Sequence, residues 1–390
     1  MDHLTDNFLQ LRKFVTPEHV FGPGARLQAV QYCKMLGVKK LFFVTDLNLK
    51  NMQWVNEIEL LLQKESIEYI MYSSVSPNPR DFEVMNGANL YTENQCNMIL
   101  AIGGGSVIDC AKGIGIVCTN KKRITAYEGV DKIKLPMPPL ISIPTTAGSS
   151  ADVSQFAIIN KIKDRYKMAI ISKALISDVA LIDPVILTSM DPLLTACTGV
   201  DALSHAFEAY VSNASSTITN LFALEAIRLI NTELLNSMKE PENIETRGKV
   251  MLGSLYAGLA FSNASLGCVH SLAHSLGGYL DLPHGECNAI LLPHVVNYNF
   301  SAVTEKYTAI AQAMNLNTSG LSSSEIKNKL IEHLFNLNKS LGIVSTLKDR
   351  GVTSDLVPVL AKNAINDPCN ATNPVPPTAD DLKVIYSEAI

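Results

Sequence analysis

The chain has 390 residues, and at about 150 residues per domain this length predicts two domains. Apolar residues make up 47% of the chain and charged residues 18%, which excludes an intrinsically disordered protein. The 32 basic and 37 acidic residues give a formal net charge of −5, so there is no excess of positive charge for neutralising phosphates. Nucleic acid is therefore not an expected partner.

Cysteine spacing, the N-terminus and hydropathy together predict a cytoplasmic protein with no membrane segment. The eight cysteines form no CxxC pair and match no zinc or disulfide framework, as expected of buried thiols in a reducing compartment. The first residues lack the apolar core of a secretory signal. Residues 250–280 carry no Asp, Glu, Lys or Arg, but polar residues and two histidines interrupt them, so we interpret them as buried helices and not as a membrane span.

Strands alternate with helices in the first half of the chain. Short apolar runs rich in β-branched and aromatic residues are typical of strands, and helical patterns such as residues 60–65 lie between them. This alternation predicts an α/β domain with a parallel or mostly parallel sheet. The predicted strands are residues 39–46, 67–75, 98–102, 140–146 and 155–160.

The second half of the chain has helical patterns almost throughout. Strand patterns largely stop after Asp183-Pro184 and Asp191-Pro192, and Asp before Pro is typical of a helix N-cap followed by the first helical residue. We therefore predict an α/β domain over residues 1–186 and an all-helical domain over residues 187–390. The predicted helices are residues 192–212, 216–238, 243–262 and 266–280, with several more after residue 301.

A glycine-rich turn joins a predicted strand to a helix at residues 103–106 (GGGS). Backbone N–H groups at such a helix N-terminus can bind a pyrophosphate, although the turn is not the GxGxxG fingerprint and glycine is also common in ordinary turns. A second small, hydroxyl-rich turn follows the next strand at residues 144–150 (PTTAGSS). It is either a tight loop or a second set of donors for the same nucleotide.

Asp46 ends an early strand, where an acid that binds ribose hydroxyls would lie. Such an acid would repel a 2′-phosphate and so favour NAD over NADP. Asp46 precedes the glycines instead of following them, unlike the acid of a Rossmann unit, and a simple turn role is the alternative.

Four of the eight histidines fall within residues 270–294. Asp201 and His205 are spaced i, i+4, which puts them on one face of a helix, and His270 and His274 repeat this spacing. His284 follows in a Pro-His-Gly segment that we interpret as a turn. Three imidazoles and one carboxylate suit Fe²⁺ or Zn²⁺, whereas histidines satisfied within a core are the alternative.

At the two turns, Asp46 and the histidine segments described above, the sequence resembles the iron-dependent alcohol dehydrogenase family, in the branch that contains 1,3-propanediol, methanol and lactaldehyde dehydrogenases. The resemblance runs nearly from end to end. It covers FGPGA (21–25), VTD (44–46), PNP (77–79), GGGSVIDCAKG (103–113), PTTAG (144–148), TGVDALSHAFEAYVS (198–212), HSLAHSLGG (270–278) and PHGECNAILLPH (283–294).

The resemblance implies roles for individual residues. Asp201, His205, His270 and His284 match the family's four metal ligands, and His274 matches a histidine that lies near the metal and the nicotinamide without ligating. Asp46 matches the ribose-binding acid. The other implied cofactor contacts are Asn78, Gly103, Gly104, Gly105, Ser106, Thr145, Thr146, Ser149 and Lys167.

The resemblance also implies a fold and a reaction. The fold is that of dehydroquinate synthase, a Rossmann-like α/β nucleotide domain followed by an all-helical metal domain, with the active site in the cleft between them. The implied reaction is hydride transfer between a small primary alcohol or diol and NAD(H), with Fe²⁺, or alternatively Zn²⁺, as Lewis acid and His274 passing the proton. The expected partners are a small alcohol or aldehyde and further copies of the chain, as a homodimer or higher homo-oligomer.

The chain departs from the family pattern at residues 149–153, where SSADV replaces the usual Thr-Gly-Ser-Glu-Val, and at two positions beside His270. Asp152 stands where the family usually has Glu, in the loop that follows the second turn. Cys268 replaces a common Tyr and Ser271 a usual Ala, and both flank His270. We therefore expect the substrate preference to differ from that of named members.

Three other functions compete with the dehydrogenase. A lyase of the dehydroquinate synthase type would share the fold, the metal and NAD, but it draws on a ligand set that contains Glu. A metallohydrolase would use the histidines and leave the glycine-rich turn without a function. A non-catalytic NAD-binding sensor would need no intact set of metal ligands.

Overall fold

The structure, a computed structural model, describes residues 12–390, and these form two compact units. Thr16–Ser189 make up the N-terminal unit. Residues 12–15 and 190–390 make up the C-terminal unit. The division comes directly after a 3₁₀ helix, Pro184–Ser189. The domain boundary that we expect from the sequence, between residues 186 and 187, falls within that helix and stays a prediction.

The N-terminal unit contains a six-stranded parallel sheet with strand order β1-β9-β6-β4-β2-β3. Four helices of this unit, α1 to α4, follow the pattern of alternation that the sequence predicts. The strands of the unit are β1 (Glu18–Phe21), β2 (Leu41–Val44), β3 (Tyr69–Tyr72), β4 (Met98–Gly103), β5 (Gly129–Val130), β6 (Leu140–Pro144), β7 (Phe156–Lys161), β8 (Tyr166–Ile171) and β9 (Val179–Ile182). The helices are α1 (Ala29–Met35), α2 (Gln53–Lys64), α3 (Asp81–Glu93) and α4 (Gly105–Asn120).

The central strands are buried on both faces, as parallel strands are when helices cover both sides of the sheet. Successive residues point to opposite sides, so Phe42 and Ile99 belong to one hydrophobic cluster and Phe43 and Leu100 to the other. This alternation explains why β2 and β4 are apolar at every position.

Strand β7 does not continue the parallel sheet, contrary to our interpretation of residues 155–160. It pairs antiparallel with β8 in a separate three-stranded sheet of order β5-β8-β7. Residues 162–165 are the whole connection between β7 and β8. A parallel pairing needs a crossover of a dozen or more residues, so this short turn permits only an antiparallel pair.

The C-terminal unit contains only helices within the described residues, so the predicted fold class is confirmed. Helix α5 begins as predicted, with the Asp191 side chain accepting a hydrogen bond from the Leu194 N–H at 2.9 Å and Pro192 as the first helical residue. The helices are α5 (Pro192–Val211), α6 (Thr217–Lys239), α7 (Ile244–Ala264), α8 (Cys268–Leu280), α9 (His284–Asn299), α10 (Thr304–Ala313), α11 (Ser323–Ser340), α12 (Val357–Ala364) and α13 (Ala379–Ala389).

The uncharged segment at residues 250–280 lies in α7 and α8, which are buried over most of their length. No single helix within residues 12–390 is both long and apolar enough to cross a membrane; by length and composition α7 and α8 would do so only together, as a pair that bends by 99°. All eight cysteines are buried and free, as the sequence predicts.

Candidate metal and cofactor sites

Helix α5 brings the first two predicted metal ligands together. Asp201 and His205 are one turn apart, and Asp201 Oδ1 lies 3.9 Å from His205 Nε2. Both side chains are buried in the C-terminal unit. The local spacing in the sequence therefore gives the juxtaposition that it predicts.

Helices α8 and α9 add the other two predicted ligands. His270 Nε2 lies 3.6 Å from Asp201 Oδ1, and His284 Nε2 lies 3.7 Å from the same oxygen. The ligand atoms of Asp201, His270 and His284 all lie within 4.8 Å of one another, and the His205 ring stacks on His270 with 4.4 Å between centroids.

The distances from Asp201 to the three imidazoles are compatible with a tetrahedral divalent cation, and the ligand atoms of Asp201, His270 and His284 are those that lie within 4.8 Å of one another. Metal–nitrogen and metal–oxygen bonds of about 2.0–2.1 Å in a tetrahedron place neighbouring donor atoms about 3.4 Å apart. Separations of 3.6, 3.7 and 3.9 Å from Asp201 are close to that value. Three imidazoles and a carboxylate also form a donor set that suits iron or zinc.

His284 is the first residue of α9 and does not lie in a turn, contrary to our interpretation of the Pro-His-Gly segment. Gly285 makes this placement possible. A Cβ atom at Gly285 would lie 2.4 Å from the Cys197 carbonyl oxygen and 3.4 Å from Asp201 Cβ. The absence of a side chain at residue 285 thus lets α9 approach the backbone of α5 closely enough for His284 to reach Asp201.

The charges within the cluster keep its carboxylate ionised. Burial alone would raise the pKa of the Asp201 carboxyl, but the imidazoles of His205, His270 and His284 outweigh it and hold that pKa well below its usual range. Burial likewise opposes a charge on His270, yet the carboxylates of Glu208 and Asp201 raise the pKa of its imidazole to about 9. The ionised form of Asp201 is the one that would bind a cation.

His274 lies beside this cluster and pairs with a different carboxylate. Its Nδ1 atom is 2.8 Å from Asp367 Oδ2, and its ring stacks on His284 with 5.2 Å between centroids. Both members of the pair are buried, with side chains 5% and 6% exposed. Sequence reasoning missed Asp367, because an Asp before Pro reads as the cap of a short helix, a role that it also has through the Cys369 N–H.

Two more buried residues contact the predicted metal ligands, and neither of them was predicted as a site residue. Asn288 Nδ2 lies 2.6 Å from Asp201 Oδ1 and 3.1 and 3.3 Å from Nε2 of His270 and His284. Glu208 Oε2 lies 2.5 Å from His270 Nδ1. Glu208 is two helical turns after Asp201 in α5, so its position relative to Asp201 was readable from the sequence, whereas its contact with α8 was not.

The glycine-rich turn lies at the carboxyl end of β4, where α4 begins. The second turn packs directly on it. A Cβ atom at Gly105 would lie 2.6 Å from Ser149 Oγ, and one at Gly104 would lie 3.4 Å from Thr146 Cγ2. The Thr145 N–H donates to the Gly103 carbonyl at 3.1 Å. These contacts bring together six of the predicted cofactor contacts, and the last residue of the turn, Ser106, adds a seventh.

The remaining predicted cofactor residues lie around this pair of turns. The Asn78 N–H donates to Ser106 Oγ at 3.2 Å. Asp46 follows β2, the neighbour of β4, so it lies at the same edge of the sheet, and its Oδ1 also accepts from the backbone of residues 48 and 49. Lys167 lies in β8 opposite Asn160, whose N–H donates to the Pro79 carbonyl at 2.7 Å, next to Asn78.

Asp152, which departs from the family pattern, is buried in the same unit. Burial raises the pKa of its carboxyl to about 6. The buried Lys112 is close enough to oppose that shift, and its Nζ donates to the carbonyls of Ser154 and Phe156 at 2.8 Å. The shorter acid therefore belongs to a buried polar group that follows the second turn.

Comparisons with known proteins agree along almost the whole chain. Residues 16–184 match the family model for iron-containing alcohol dehydrogenase, and residues 195–390 match the C-terminal model of the Fe-containing alcohol dehydrogenase family. A 1,3-propanediol dehydrogenase of Citrobacter freundii is 37% identical over 371 residues, or 95% of this chain and 96% of that protein. An NAD-dependent methanol dehydrogenase of Bacillus methanolicus is 36% identical over 377 residues, or 97% and 99%.

A solved structure of 1,3-propanediol oxidoreductase superimposes with a TM-score of 0.94 at 36% identity, covering 98% of this chain and 100% of that one. Fold, sequence and both family models thus lead to one assignment. The chain belongs to the iron-containing alcohol dehydrogenase family.

Proposed function

We propose that this protein transfers a hydride between a small primary alcohol or diol and NAD(H), and reduces the corresponding aldehyde in reverse. The observation that carries the proposal is the convergence of Asp201, His270 and His284 in the C-terminal unit, with His205 Nε2 3.9 Å from the same Asp201 oxygen. Membership of the alcohol dehydrogenase family supports the type of reaction, and the name of the methanol dehydrogenase relative supports NAD.

These four residues would hold the cation, Fe²⁺ in our proposal, with Zn²⁺ accepted by the same donors. When bound, the cation supplies Lewis acidity toward the substrate oxygen and NAD supplies the hydride acceptor. Asp201 contributes the one negative charge of the ligand set, and the three imidazoles leave the site with a net positive charge once it is loaded. That charge favours an alkoxide over a neutral alcohol.

His274 is the residue that we propose carries the proton. The Asp367 carboxylate accepts hydrogen bonds only, so the 2.8 Å contact with Nδ1 leaves the proton of neutral His274 on Nδ1. Nε2 is then the atom that takes a proton from the substrate side or returns it. Asp367 orients the ring and stabilises its charged form during that transfer.

The N-terminal unit would bind the dinucleotide through the two packed turns. Backbone N–H groups at the start of α4 are donors for the pyrophosphate, as at other helix N-termini that bind anions. We assign the ribose hydroxyls to Asp46 and further contacts to Asn78, Thr145, Thr146, Ser149 and Lys167. The acid at residue 46 favours NAD, because it repels a 2′-phosphate.

The dehydrogenase is the function that we retain over the lyase, hydrolase and sensor alternatives, because both units match the alcohol dehydrogenase family. The homo-oligomer and the cytoplasmic location stay predictions. The departures at Cys268 and Ser271 remain our reason to expect a distinct substrate preference.

The test is a substrate panel on protein of known metal content. The chain is purified without oxygen, its metal is identified by elemental analysis, and portions are loaded with Fe²⁺ or Zn²⁺. Primary alcohols, diols and aldehydes are then assayed with NAD(H) and NADP(H). We expect a net change in NADH absorbance with small primary alcohols or diols. Metal-loaded protein that binds NADH but changes its absorbance with no substrate of the panel would contradict the proposal.

A further inference from the structure

Glu208 is a buried carboxylate that joins two helices of the metal cluster. It belongs to α5 and is 4% exposed. One oxygen, Oε2, lies 2.5 Å from His270 Nδ1, and the other, Oε1, accepts a hydrogen bond from the Val269 N–H at 2.6 Å. Both contacts are made to the first turn of α8.

Helix α8 begins without a cap of its own, and side chains from elsewhere supply the acceptors. Gly267, the residue before the helix, makes no side-chain cap. The Cys268 N–H donates to Asn373 Oδ1 at 3.1 Å, and the Val269 N–H donates to Glu208. A Cβ atom at Gly267 would lie 2.6 Å from Asn373 Oδ1 and 3.0 Å from Glu208 Oε1, so glycine leaves room for both acceptors.

A carboxylate at a helix N-terminus is favoured by the partial positive charge of the first N–H groups. Glu208 therefore fixes the start of α8 against α5, the helix that carries Asp201 and His205. The position of His270 relative to these two residues depends on that junction, because His270 is the third residue of α8.

The second contact acts on the imidazole itself. Since a carboxylate only accepts, the proton of neutral His270 lies on Nδ1, and Nε2 is directed to Asp201. A carboxylate bonded to the far nitrogen of a ligating histidine also makes the near nitrogen a stronger donor. Both effects act on the nitrogen that we assign to the metal.

We propose that Glu208 is a positioning residue for the metal, which holds His270 in the ligating tautomer and orientation and strengthens it as a donor. This inference rests on the metal site of the proposed function. It gives Glu208 a role in metal binding in addition to capping α8, and the two roles predict different effects of mutation on metal affinity.

The primary test is E208Q, compared with E286Q as a matched control. Gln keeps the size of the side chain and one carbonyl acceptor but removes the charge and the second acceptor. Glu286 is also a buried carboxylate, two residues after His284, but it pairs with Arg350 at 2.9 Å and not with a ligand imidazole. E286Q therefore removes the same charge from the same neighbourhood.

The measurement is Co²⁺ affinity by chelator competition, together with the d–d absorption spectrum of bound Co²⁺. We expect E208Q to weaken Co²⁺ binding about 10–100-fold, which is the usual cost of losing such an outer partner. We also expect its d–d bands to shift, whereas E286Q keeps the wild-type affinity and spectrum. Wild-type affinity and an unchanged spectrum in E208Q would overturn the inference and leave Glu208 as a helix cap.

A double mutant separates an effect through His270 from general loosening of the helices. If Glu208 acts through His270, adding E208Q to H270A weakens Co²⁺ binding no further than H270A alone. Full additivity of the two losses would contradict this. If E208Q does not fold by circular dichroism, E208D replaces it, because it keeps the charge and shortens the reach; wild-type affinity and spectrum in E208D would then overturn the inference.

The two proposals fail in different ways. Wild-type protein that binds Co²⁺ at this cluster but oxidises no alcohol would remove the proposed function and leave the role of Glu208 intact. Protein that oxidises alcohols but shows the same Co²⁺ affinity and spectrum in E208Q would do the reverse. Wild-type protein that binds no Co²⁺ would overturn both.

Discussion

The predicted metal site is built from side chains, whereas the predicted cofactor site is built largely from backbone groups. The predicted metal site of the C-terminal unit consists of side chains on three helices, α5, α8 and α9, and Glu208 bonds to one of them, His270, through the nitrogen that faces away from Asp201. The predicted cofactor region of the N-terminal unit consists largely of two turns at the ends of neighbouring strands, where backbone N–H groups are the proposed donors. Changes in side-chain chemistry should therefore affect the first site most, and changes in backbone approach the second.

Glycines at the two predicted sites illustrate both the difference between the sites and a property that they share. At Gly285 the close neighbour is a backbone carbonyl of another helix, whereas at Gly105 it is the Ser149 side chain. Rotation of Ser149 would move its Oγ but not its Cβ, which would lie 2.7 Å from a new atom at residue 105, so the second turn has to shift there as a helix has to shift at residue 285. We therefore expect the predicted metal site to be sensitive to helix packing as well as to ligand identity, and we expect the two predicted sites to be damaged separately.

The largest expected effect comes from removing a ligand. H270A should lower kcat about 10³-fold, since a Lewis acid contributes several kcal/mol and each 1.36 kcal/mol is a factor of ten. NADH binding, measured by fluorescence titration, should remain, because the cofactor residues belong to the other unit. Undiminished turnover in this variant would refute the assignment of His270.

The next effect tests helix packing. In G285A the new methyl group would lie 2.4 Å from the Cys197 carbonyl oxygen, so α9 and His284 must shift away from α5. We expect metal affinity to fall about tenfold or more, as when outer partners of a metal ligand are lost. NADH titration serves as the control, and wild-type metal affinity would show that α9 can adjust without moving His284.

The reciprocal variant is G105A in the N-terminal unit. Its methyl group would lie 2.6 Å from Ser149 Oγ, so the second turn has to move away from the first. We expect NADH binding to weaken about tenfold, a loss of roughly 1.4 kcal/mol, with metal content unchanged in elemental analysis. A loss of metal with intact NADH binding would reverse our assignment of the two sites.

An effect of similar size is expected from D367N, which removes the charge beside His274. General acid–base catalysis contributes about 10²–10⁴-fold, and an orienting partner accounts for part of it, so we expect kcat to fall about tenfold. The KM for alcohol and the affinity for NADH and metal should change little. A fall in metal affinity equal to that in kcat would assign Asp367 to the metal instead.

The last expected effect concerns the choice of cofactor. D46N keeps an oxygen that can accept from the N–H groups of residues 48 and 49, so the turn after β2 is preserved while the charge is lost. We expect the ratio of kcat/KM for NAD to that for NADP to fall about tenfold, because repulsion of the 2′-phosphate disappears. An unchanged ratio would leave Asp46 with its turn role alone.

Much of the fold was predictable from local pattern. The alternation of apolar runs and helical segments predicted the parallel sheet, and the Asp191-Pro192 pair marked the start of α5. Strand β7 was assigned to the wrong sheet, because its first four residues, 156–159, are as apolar as those of a central strand. The short turn to β8 distinguishes it, but residues 166–171 were not among the predicted strands.

The sequence by itself determined which residues come together on one face of a single helix. Asp201 and His205 come together because residues four apart share a face of any α-helix. The glycines at residues 103–105 lie where β4 meets α4, and that junction is likewise visible in the local sequence. Tertiary structure decided the rest: that His270 and His284 face the same carboxylate, that Glu208 bonds to His270, and that Asp367 bonds to His274. Those contacts join residues far apart in the chain, so they depend on how closely α5, α8, α9 and the segment that carries Asp367 pack, which no spacing within a single helix specifies.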